Sequence, residues 1–83
     1  MRRRDKRRET IQRNPRRVRF QELDALLRSY GFDRRQRRRG SSHYTYWRGP
    51  WRLIVPAHRP HLRLYVVQRG LSVLEQIDAE EEA

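Results

Sequence analysis

The first regular pattern along this chain is a set of apolar residues at helical spacing in its N-terminal half. The set consists of Phe20, Leu23, Leu26, Leu27 and Tyr30. Intervals of three and four residues place these side chains on one face of an α-helix. Gly31 followed by Phe32 is typical of a helix that ends in a glycine cap with an apolar contact. We therefore predict an amphipathic helix over residues 20–30.

A second pattern, in which residues alternate, follows between positions 43 and 55. In residues 43–48 one face carries Tyr44 and Tyr46, and the other carries His43, Thr45 and Trp47. In residues 51–55 one face carries Trp51, Leu53 and Val55, and the other carries Arg52 and Ile54. A period of two is typical of half-buried strands, and Gly49-Pro50 between the segments marks a turn. The pattern predicts an antiparallel hairpin that Pro56 terminates.

Two weaker patterns complete the predicted fold. Residues 33–39 contain no aliphatic residue, so we expect at most a weak edge strand that is covered by arginine stems. From Tyr65 onward the apolar residues again follow helical spacing, and Gly70 interrupts this helix at a cost of about 1 kcal/mol relative to alanine. The sequence thus predicts an α+β fold with the order α-β-β-β-α. Its three-stranded antiparallel sheet would carry two helices on one face.

The two ends of the chain lack apolar periodicity and carry opposite charges. Residues 1–14 contain seven basic residues and, apart from the initial methionine, one aliphatic residue, Ile11. This composition favours a disordered or loosely helical basic arm, which Pro15 separates from the folded part. Residues 78–83 form an acidic tail, so we predict one folded domain over residues 15–77. A translation start downstream of the arm is an alternative that the sequence leaves open.

The charge of the chain indicates a polyanionic partner. The chain has 21 basic and ten acidic residues, a net charge of +11, and twenty of the bases are arginine. The planar guanidinium group suits bidentate phosphate contacts and stacking on bases, which favours RNA or another nucleic acid. An arginine-rich composition can also reflect the base composition of a genome, and this explanation stays open beside the functional one.

Composition also excludes several classes of site and location. Without cysteine the chain has no disulfide, no thiolate nucleophile and no cysteine-ligated zinc. Its apolar runs are all shorter than the roughly 18 residues that span a bilayer, and its N-terminus contains charge instead of an apolar signal core. We therefore expect a cytoplasmic protein without a membrane anchor, in a reducing compartment.

The alternation of residues 43–48 places His43 on the side of the sheet that the two predicted helices leave open. Metal-free RNA cleavage needs a group that titrates near neutral pH to move a proton, and cations that stabilise the charge on the phosphate. His43 can supply the first, and nearby arginines can supply the second. The arginines are Arg37, Arg38, Arg39 and Arg52. Most surface histidines in strands are not catalytic, so the pattern alone also fits a histidine without function.

Two further features of this region have both a functional and a structural interpretation. Trp47 can stack on a nucleobase, or it can pack against Ile54 across the hairpin. His58 and His61 form a His-x-x-His pair, but its loop position and the lack of a third ligand nearby in sequence make it a poor zinc site. We therefore expect no metal and no cofactor.

Four short motifs over residues 15–76 resemble, in order, landmarks of the HicA family of toxin mRNA interferases. They are Tyr30-Gly31-Phe32, Gly40-Ser41-Ser42-His43-Tyr44-Thr45-Tyr46, Val55-Pro56-Ala57-His58 and Leu64-Tyr65-Val66. The family has a helix that ends in Gly-Phe, a Gly-Ser-His-His-x-Phe strand, a Val-Pro-x-His strand end and a closing helix. Alignment on the aromatic Tyr46 places His43 on the catalytic histidine, with one residue inserted after Gly40. An ungapped alignment from the glycine would place Ser42 there instead.

The resemblance implies a double-stranded-RNA-binding-domain-like fold and a toxin-type endoribonuclease that cleaves mRNA. It also implies a HicB-like antitoxin partner, whose acidic or otherwise complementary surface would cover His43. We predict that RNA binds across the open sheet face, with His43 as general acid or base and with the arginines and Trp47 in contact with RNA. The alternative is a non-catalytic module that uses the same face to dock on structured RNA or on the ribosome.

Overall fold

The computed structural model describes residues 3–36 and 42–82, which form one sheet and the helices that cover it. The helices are α1 (Arg3–Arg13), a 3₁₀-helix (Pro15–Arg17), α2 (Phe20–Ser29) and α3 (Leu64–Glu82). The strands are β1 (Asp33–Gln36), β2 (His43–Arg48) and β3 (Trp51–Pro56). The order α2-β1-β2-β3-α3 confirms the predicted α+β class and its α-β-β-β-α arrangement. None of the described helices is long and apolar enough to cross a membrane.

The sheet is antiparallel with the strand order β1-β2-β3, so β2 lies in its centre. Thr45 of β2 pairs with Arg35 on one side and with Ile54 on the other. β2 and β3 form the predicted hairpin, and Gly49 in its turn has φ +55°, a left-handed conformation that glycine adopts without steric strain. β1 is exposed along its described length, as expected of a weak edge strand. Residues 37–39 of the predicted strand lie outside the described part of the chain.

The Gly-Phe pair ends α2 as the sequence predicted. Gly31 has φ +89°, and its N–H donates to the carbonyl oxygen of Arg28 at 2.9 Å. The N–H of Phe32 donates to the carbonyl oxygen of Leu27 at 3.1 Å, and the Phe32 side chain is buried. These two hydrogen bonds and the apolar contact form a Schellman cap, which turns the chain from α2 directly into β1.

The core lies between the sheet and the helices. The sheet contributes Tyr46, Leu53 and Val55, α2 contributes Leu23, Leu26 and Leu27, and α3 contributes Val66, Val67, Leu74 and Ile77. A Cβ on Gly70 would lie 3.4 Å from Leu23 Cδ1 and 3.7 Å from Leu53 Cδ2, so α3 meets α2 and β3 at van der Waals distance there. Both helices therefore cover the same face of the sheet, as predicted, and the described residues of the other face stay accessible.

The N-terminal segment, which we expected to be a disordered or loosely helical arm, forms α1 over Arg3–Arg13 and packs against α2. Ile11 is only 2 % exposed and belongs to the core cluster. Arg8 donates to the carboxylate of Asp78 on α3 and to the hydroxyl oxygen of Tyr30. One buried aliphatic side chain and these long-range polar contacts thus hold a helix that has almost no apolar periodicity.

The acidic tail is likewise part of the fold, since α3 continues to Glu82. Glu81 accepts a hydrogen bond from Arg48 Nη2 at 2.8 Å and lies 3.6 Å from Arg4 Nη2. Tyr30 donates its hydroxyl proton to Asp78 at 3.1 Å. Because these pairs are partly exposed, each ion pair contributes at most about 1 kcal/mol. The described residues of α1 and of the end of α3 therefore contact each other and the rest of the fold.

A buried tyrosine connects the sheet to α2. Tyr46 is fully buried, and its hydroxyl donates to Asp24 Oδ1 at 2.7 Å. Asp24 also accepts from Arg28 at 3.3 Å and from Arg34 at 3.1 Å. Burial, together with the neighbouring Asp24 carboxylate, raises the pKa of Tyr46 above its usual value. Burial also raises the pKa of Tyr30.

We expect the free energy of unfolding to fall as the pH rises above about 10. Both tyrosines ionise near pH 10 in the unfolded chain but at higher pH in the folded one, so their stabilising contribution is complete below about pH 10 and is lost above it. Each can lower the stability by at most about 1.4 kcal/mol per pH unit. Urea unfolding from about pH 7 to about pH 11 should therefore show a shallower alkaline decline in Tyr46→Phe than in the wild type.

The matched control is Tyr65→Phe, because the Tyr65 side chain is 53 % exposed. This variant removes a phenol group that lies outside the core, so its alkaline decline should equal that of the wild type. An alkaline decline in Tyr46→Phe as steep as in Tyr65→Phe would contradict the assignment of the effect to the buried hydroxyl.

Candidate nucleic-acid interface

Side chains that point away from α2 and α3 form one continuous surface, which we call the open face. Its groove has a volume of about 790 Å³ and is lined by Arg35 on β1, His43, Thr45 and Trp47 on β2, and Arg52 and Ile54 on β3. Asp33 on β1 pairs with Trp47 and lies on the same side of the sheet, outside the groove lining. Residues paired across antiparallel strands point to the same side, so the strand register places the six lining side chains together. The alternation of the sequence had placed four of them on this face: His43, Thr45, Trp47 and Ile54.

Arg35 and Trp47 form a stacked pair in the groove. Arg35 Cζ lies 5.6 Å from the centre of the Trp47 ring, within the range of a cation–π contact. A guanidinium group beside an indole can donate hydrogen bonds to a phosphate, next to a ring on which a base can stack. Sequence reasoning did not select Arg35, because only the register of β1 against β2 decides which arginines of this strand face outward. The pairing of Arg35 with Thr45 is what identifies Arg35, and this pairing cannot be read from the sequence.

His43 is exposed and begins β2, at one end of the open face. Its partner across the hairpin is Pro56 of β3. The N–H of Ala57 donates to the carbonyl oxygen of Ser42 at 2.7 Å, which continues the pairing one residue beyond His43. The backbone that carries the imidazole is therefore held on both sides of the residue. From this position His43 can exchange a proton with a ligand in the groove.

Arg52 lies toward the other end of the open face. It pairs with Trp47, four residues after His43, a separation of about 13 Å along the strand. The sequence analysis grouped Arg52 with His43 as a phosphate contact, and both side chains line the same groove. Whether they contact the same phosphate stays a prediction. Arg35 is nearer, since its partner Thr45 is two residues, or about 7 Å, from His43. The other predicted phosphate contacts lie outside the described residues, and their role stays a prediction: Arg37, Arg38 and Arg39.

The two other histidines lie in the loop between β3 and α3. His58 Nδ1 donates to the backbone carbonyl oxygen of His61 at 3.1 Å, so the main chain and not a shared ligand connects them. Within the part of the chain that the structure describes, no three side chains of histidine, aspartate or glutamate are grouped so that they could hold a metal ion. In the groove of the open face the structure brings together an exposed imidazole, two guanidinium groups and an indole ring.

Comparison with known proteins gives no match: no protein-family model, no curated protein and no solved structure matches this chain. The resemblance to the HicA family stays a prediction that rests on the motif residues alone. The functional conclusion therefore rests on the groove of the open face and its side chains.

Proposed function

We propose that this protein binds RNA across the open face and cleaves it without a metal ion, with His43 as the group that transfers a proton. The observation that carries the proposal is the presence of an exposed imidazole, a guanidinium–indole pair and a further arginine in one groove. These side chains are His43, Arg35, Trp47 and Arg52. RNA offers a ligand group to each of them: phosphates to the arginines, a base to the indole and a 2′-hydroxyl to the imidazole.

Single-stranded RNA fits the open face better than a duplex does. In a duplex the bases are stacked on one another, so only an unpaired base can lie on the ring of Trp47. Ile54 is 50 % exposed beside it and offers an apolar surface to a second base or a sugar. The net charge of +11 adds a long-range attraction that is independent of the RNA sequence.

Cleavage requires one proton to leave a 2′-hydroxyl and one proton to reach the departing 5′-oxygen. The 2′-oxygen forms a bond to phosphorus while the bond from phosphorus to the 5′-oxygen breaks, which yields a 2′,3′-cyclic phosphate and a 5′-hydroxyl. A neutral His43 takes the first proton as general base, and water supplies the second. A protonated His43 instead donates to the 5′-oxygen, and water accepts from the 2′-hydroxyl. Arg35 stabilises the charge that develops on the phosphate oxygens.

Cleavage of mRNA would make the protein a toxin-type endoribonuclease of the HicA kind, and this is the biological role that we infer. The matching partner is a HicB-like antitoxin with an acidic surface, since such a surface would cover His43 and neutralise the arginines of the open face. The place of action would be the cytoplasm, where mRNA is translated.

A non-catalytic RNA-binding module is the second candidate. One observation favours it: among the described side chains that line the groove of the open face, His43 is the one imidazole and none is a carboxylate, so the groove lining has no side chain for the second proton transfer. In this role the same groove would dock on structured RNA or on the ribosome. Replacement of His43 would then change RNA affinity alone.

RNA binding is expected to change the fluorescence of Trp47 and to leave that of Trp51 almost unchanged. The chain has two tryptophans, Trp47 on the open face and Trp51 on the face that packs against the helices. In Trp51→Phe the remaining reporter is Trp47, and a base that stacks on its ring quenches its emission. In Trp47→Leu the remaining reporter is Trp51, and one stacking surface is lost.

Titration with a single-stranded oligoribonucleotide of mixed sequence should therefore quench the emission of Trp51→Phe. It should also show a Kd about tenfold higher for Trp47→Leu by a method that does not depend on fluorescence, such as filter binding. Equal quenching in both variants, or an unchanged Kd in Trp47→Leu, would place the RNA elsewhere on the protein.

A further inference from the structure

A second cleft lies on the helix-covered side of the sheet, at the end where β2 begins. It is lined by Tyr44, the residue that follows His43. His43 and Tyr44 are consecutive in β2, so their side chains point to opposite faces of the sheet. Tyr44 lines a cleft of about 610 Å³ between the start of α2, the start of β2 and the loop after β3. The other lining side chains that matter for its chemistry are Arg19, Phe20, Gln21, His58 and Arg59.

One wall of this cleft consists of two aromatic rings, and an arginine outside the cleft lining contacts one of them. The ring centroids of Phe20 and Tyr44 are 4.6 Å apart, with an angle of 41° between the ring planes. Arg34 Cζ lies 5.3 Å from the centre of the Tyr44 ring, and Asp24 holds the Arg34 guanidinium group at 3.1 Å. Both rings are half-buried and pack against the core. The wall is thus preorganised, which lowers the entropic cost of packing a planar ligand against it.

The remainder of the cleft is cationic and polar. Arg19 and Arg59 are exposed, and none of the described residues that line the cleft is a carboxylate. His58 donates its Nδ1 proton to a backbone carbonyl, which fixes the tautomer of the neutral ring and leaves Nε2 as an acceptor. Gln21 adds an amide that both donates and accepts. Together these groups fit a nucleotide: an aromatic wall for the base, edge contacts for its polar atoms and two guanidinium groups for a phosphate.

We propose that this cleft binds one nucleotide of the RNA strand that crosses the open face. Its base packs on Phe20 and Tyr44, and its phosphate contacts Arg19 and Arg59. The path of the strand rests on the proposed function, whereas the affinity of the cleft for a nucleotide does not. A strand that bends over the sheet end at Ser42 reaches both the cleft and His43. The cleft then selects the base that lies close to the cleaved bond, through Gln21 and His58.

The test is an NMR titration of the full-length protein with the 5′-mononucleotides of the four RNA bases. The nucleotides should shift the ring signals of Phe20, Tyr44 and His58, with affinities that differ among the bases. Ribose 5-phosphate and inorganic phosphate are probes without a base, and they should shift the signals of Arg19 and Arg59 alone. If no nucleotide shifts the ring signals of Phe20 and Tyr44, the base site does not exist.

Two pairs of variants sharpen this titration. Arg59→Ala should weaken nucleotide binding about fivefold, whereas Arg63→Ala, which removes an equal exposed charge from the same loop outside the cleft, should not. Tyr44→Leu should weaken it about tenfold, while Tyr44→Phe keeps the ring and should retain the affinity. Equal effects of Arg59→Ala and Arg63→Ala would show that only general electrostatic attraction binds the nucleotide, which would contradict a specific site in the cleft. The arginine pair stays informative even if Tyr44→Leu does not fold, because both arginines are exposed.

A titration with a single-stranded oligoribonucleotide separates this proposal from the proposed function. We expect shifts at His43 and Trp47 on the open face and at Phe20 and Tyr44 in the cleft. Shifts on the open face without shifts in the cleft would overturn the cleft and leave the proposed function intact. Shifts in the cleft without shifts on the open face would support the cleft and overturn the proposed function.

Discussion

The variant His43→Ala is expected to cleave RNA about 10²–10⁴-fold more slowly than the wild type in single turnover, because it lacks the group that transfers the proton. RNA affinity should change little, since Arg35, Trp47 and Arg52 remain. His43 is exposed, so the substitution leaves the core intact and the variant should fold. The rate is measured at saturating protein with end-labelled RNA, and the affinity is measured separately.

The matched control for this variant is His61→Ala, which removes an imidazole away from the open face. It should cleave RNA at the wild-type rate. A folded His43→Ala protein with the same rate as His61→Ala would remove His43 from the mechanism. Wild-type protein that binds RNA through the open face without cleaving it would favour the non-catalytic module.

Truncation of Ile11 to alanine is expected to lower the free energy of unfolding by about 2–4 kcal/mol. Ile11 is 2 % exposed and is the aliphatic side chain through which α1 joins the core. The loss is large for a small domain, whose total stability is about 5–15 kcal/mol. Urea unfolding measures it, with Gln12→Ala as the control, because Gln12 is exposed on the same helix.

Deletion of residues 1–13 distinguishes the two views of the N-terminus. If these residues formed an arm outside the fold, their deletion would reduce only the salt-dependent affinity for RNA. The structure predicts that the deletion also destabilises the protein, because it removes Ile11 and the contacts of Arg8 with Tyr30 and Asp78. Equal stabilities of Ile11→Ala and Gln12→Ala would contradict the packing of α1 against the core and would favour an arm outside the fold.

α2, α3 and the hairpin were predictable, because their apolar residues repeat with the period of the element that they form. Tyr46 and Leu53 are buried and alternate with more exposed positions, since one face of the sheet packs against the helices. Gly31 marked the end of α2 because a left-handed residue is needed there, and glycine adopts that conformation without strain. β1 was predicted less firmly, since all of its described residues are exposed and none has to be apolar.

The packing of the two chain ends was not predictable from periodicity. α1 has one buried aliphatic residue, Ile11, which produces no pattern along the helix. Its ionic contact joins Arg8 to Asp78, residues that are 70 positions apart in the sequence. The opposite charges of the two ends were visible in the composition, but only the fold decides that they meet.

The candidate site was predictable where alternation was sufficient and unpredictable where register or topology was needed. Alternation within β2 placed His43 and Trp47 on the open face. Arg35 required the register of β1, and the distance of Arg52 from His43 required the register of β3. The cleft for which we propose nucleotide binding required the fold itself, because residues 19–21, Tyr44 and the loop after β3 are separate in sequence.

The most direct test of the central claim compares two oligonucleotides of the same sequence, one of RNA and one in which every 2′-hydroxyl is methylated. Both are incubated with excess wild-type protein and excess chelator, beside an identically purified His43→Ala preparation as the control for contaminating nucleases. Attack by the 2′-hydroxyl with proton transfer by His43 predicts that the wild type cuts the RNA to 2′,3′-cyclic phosphate and 5′-hydroxyl ends and leaves the methylated strand intact. Intact RNA in chelator, or equal cleavage of the RNA by His43→Ala, would contradict it.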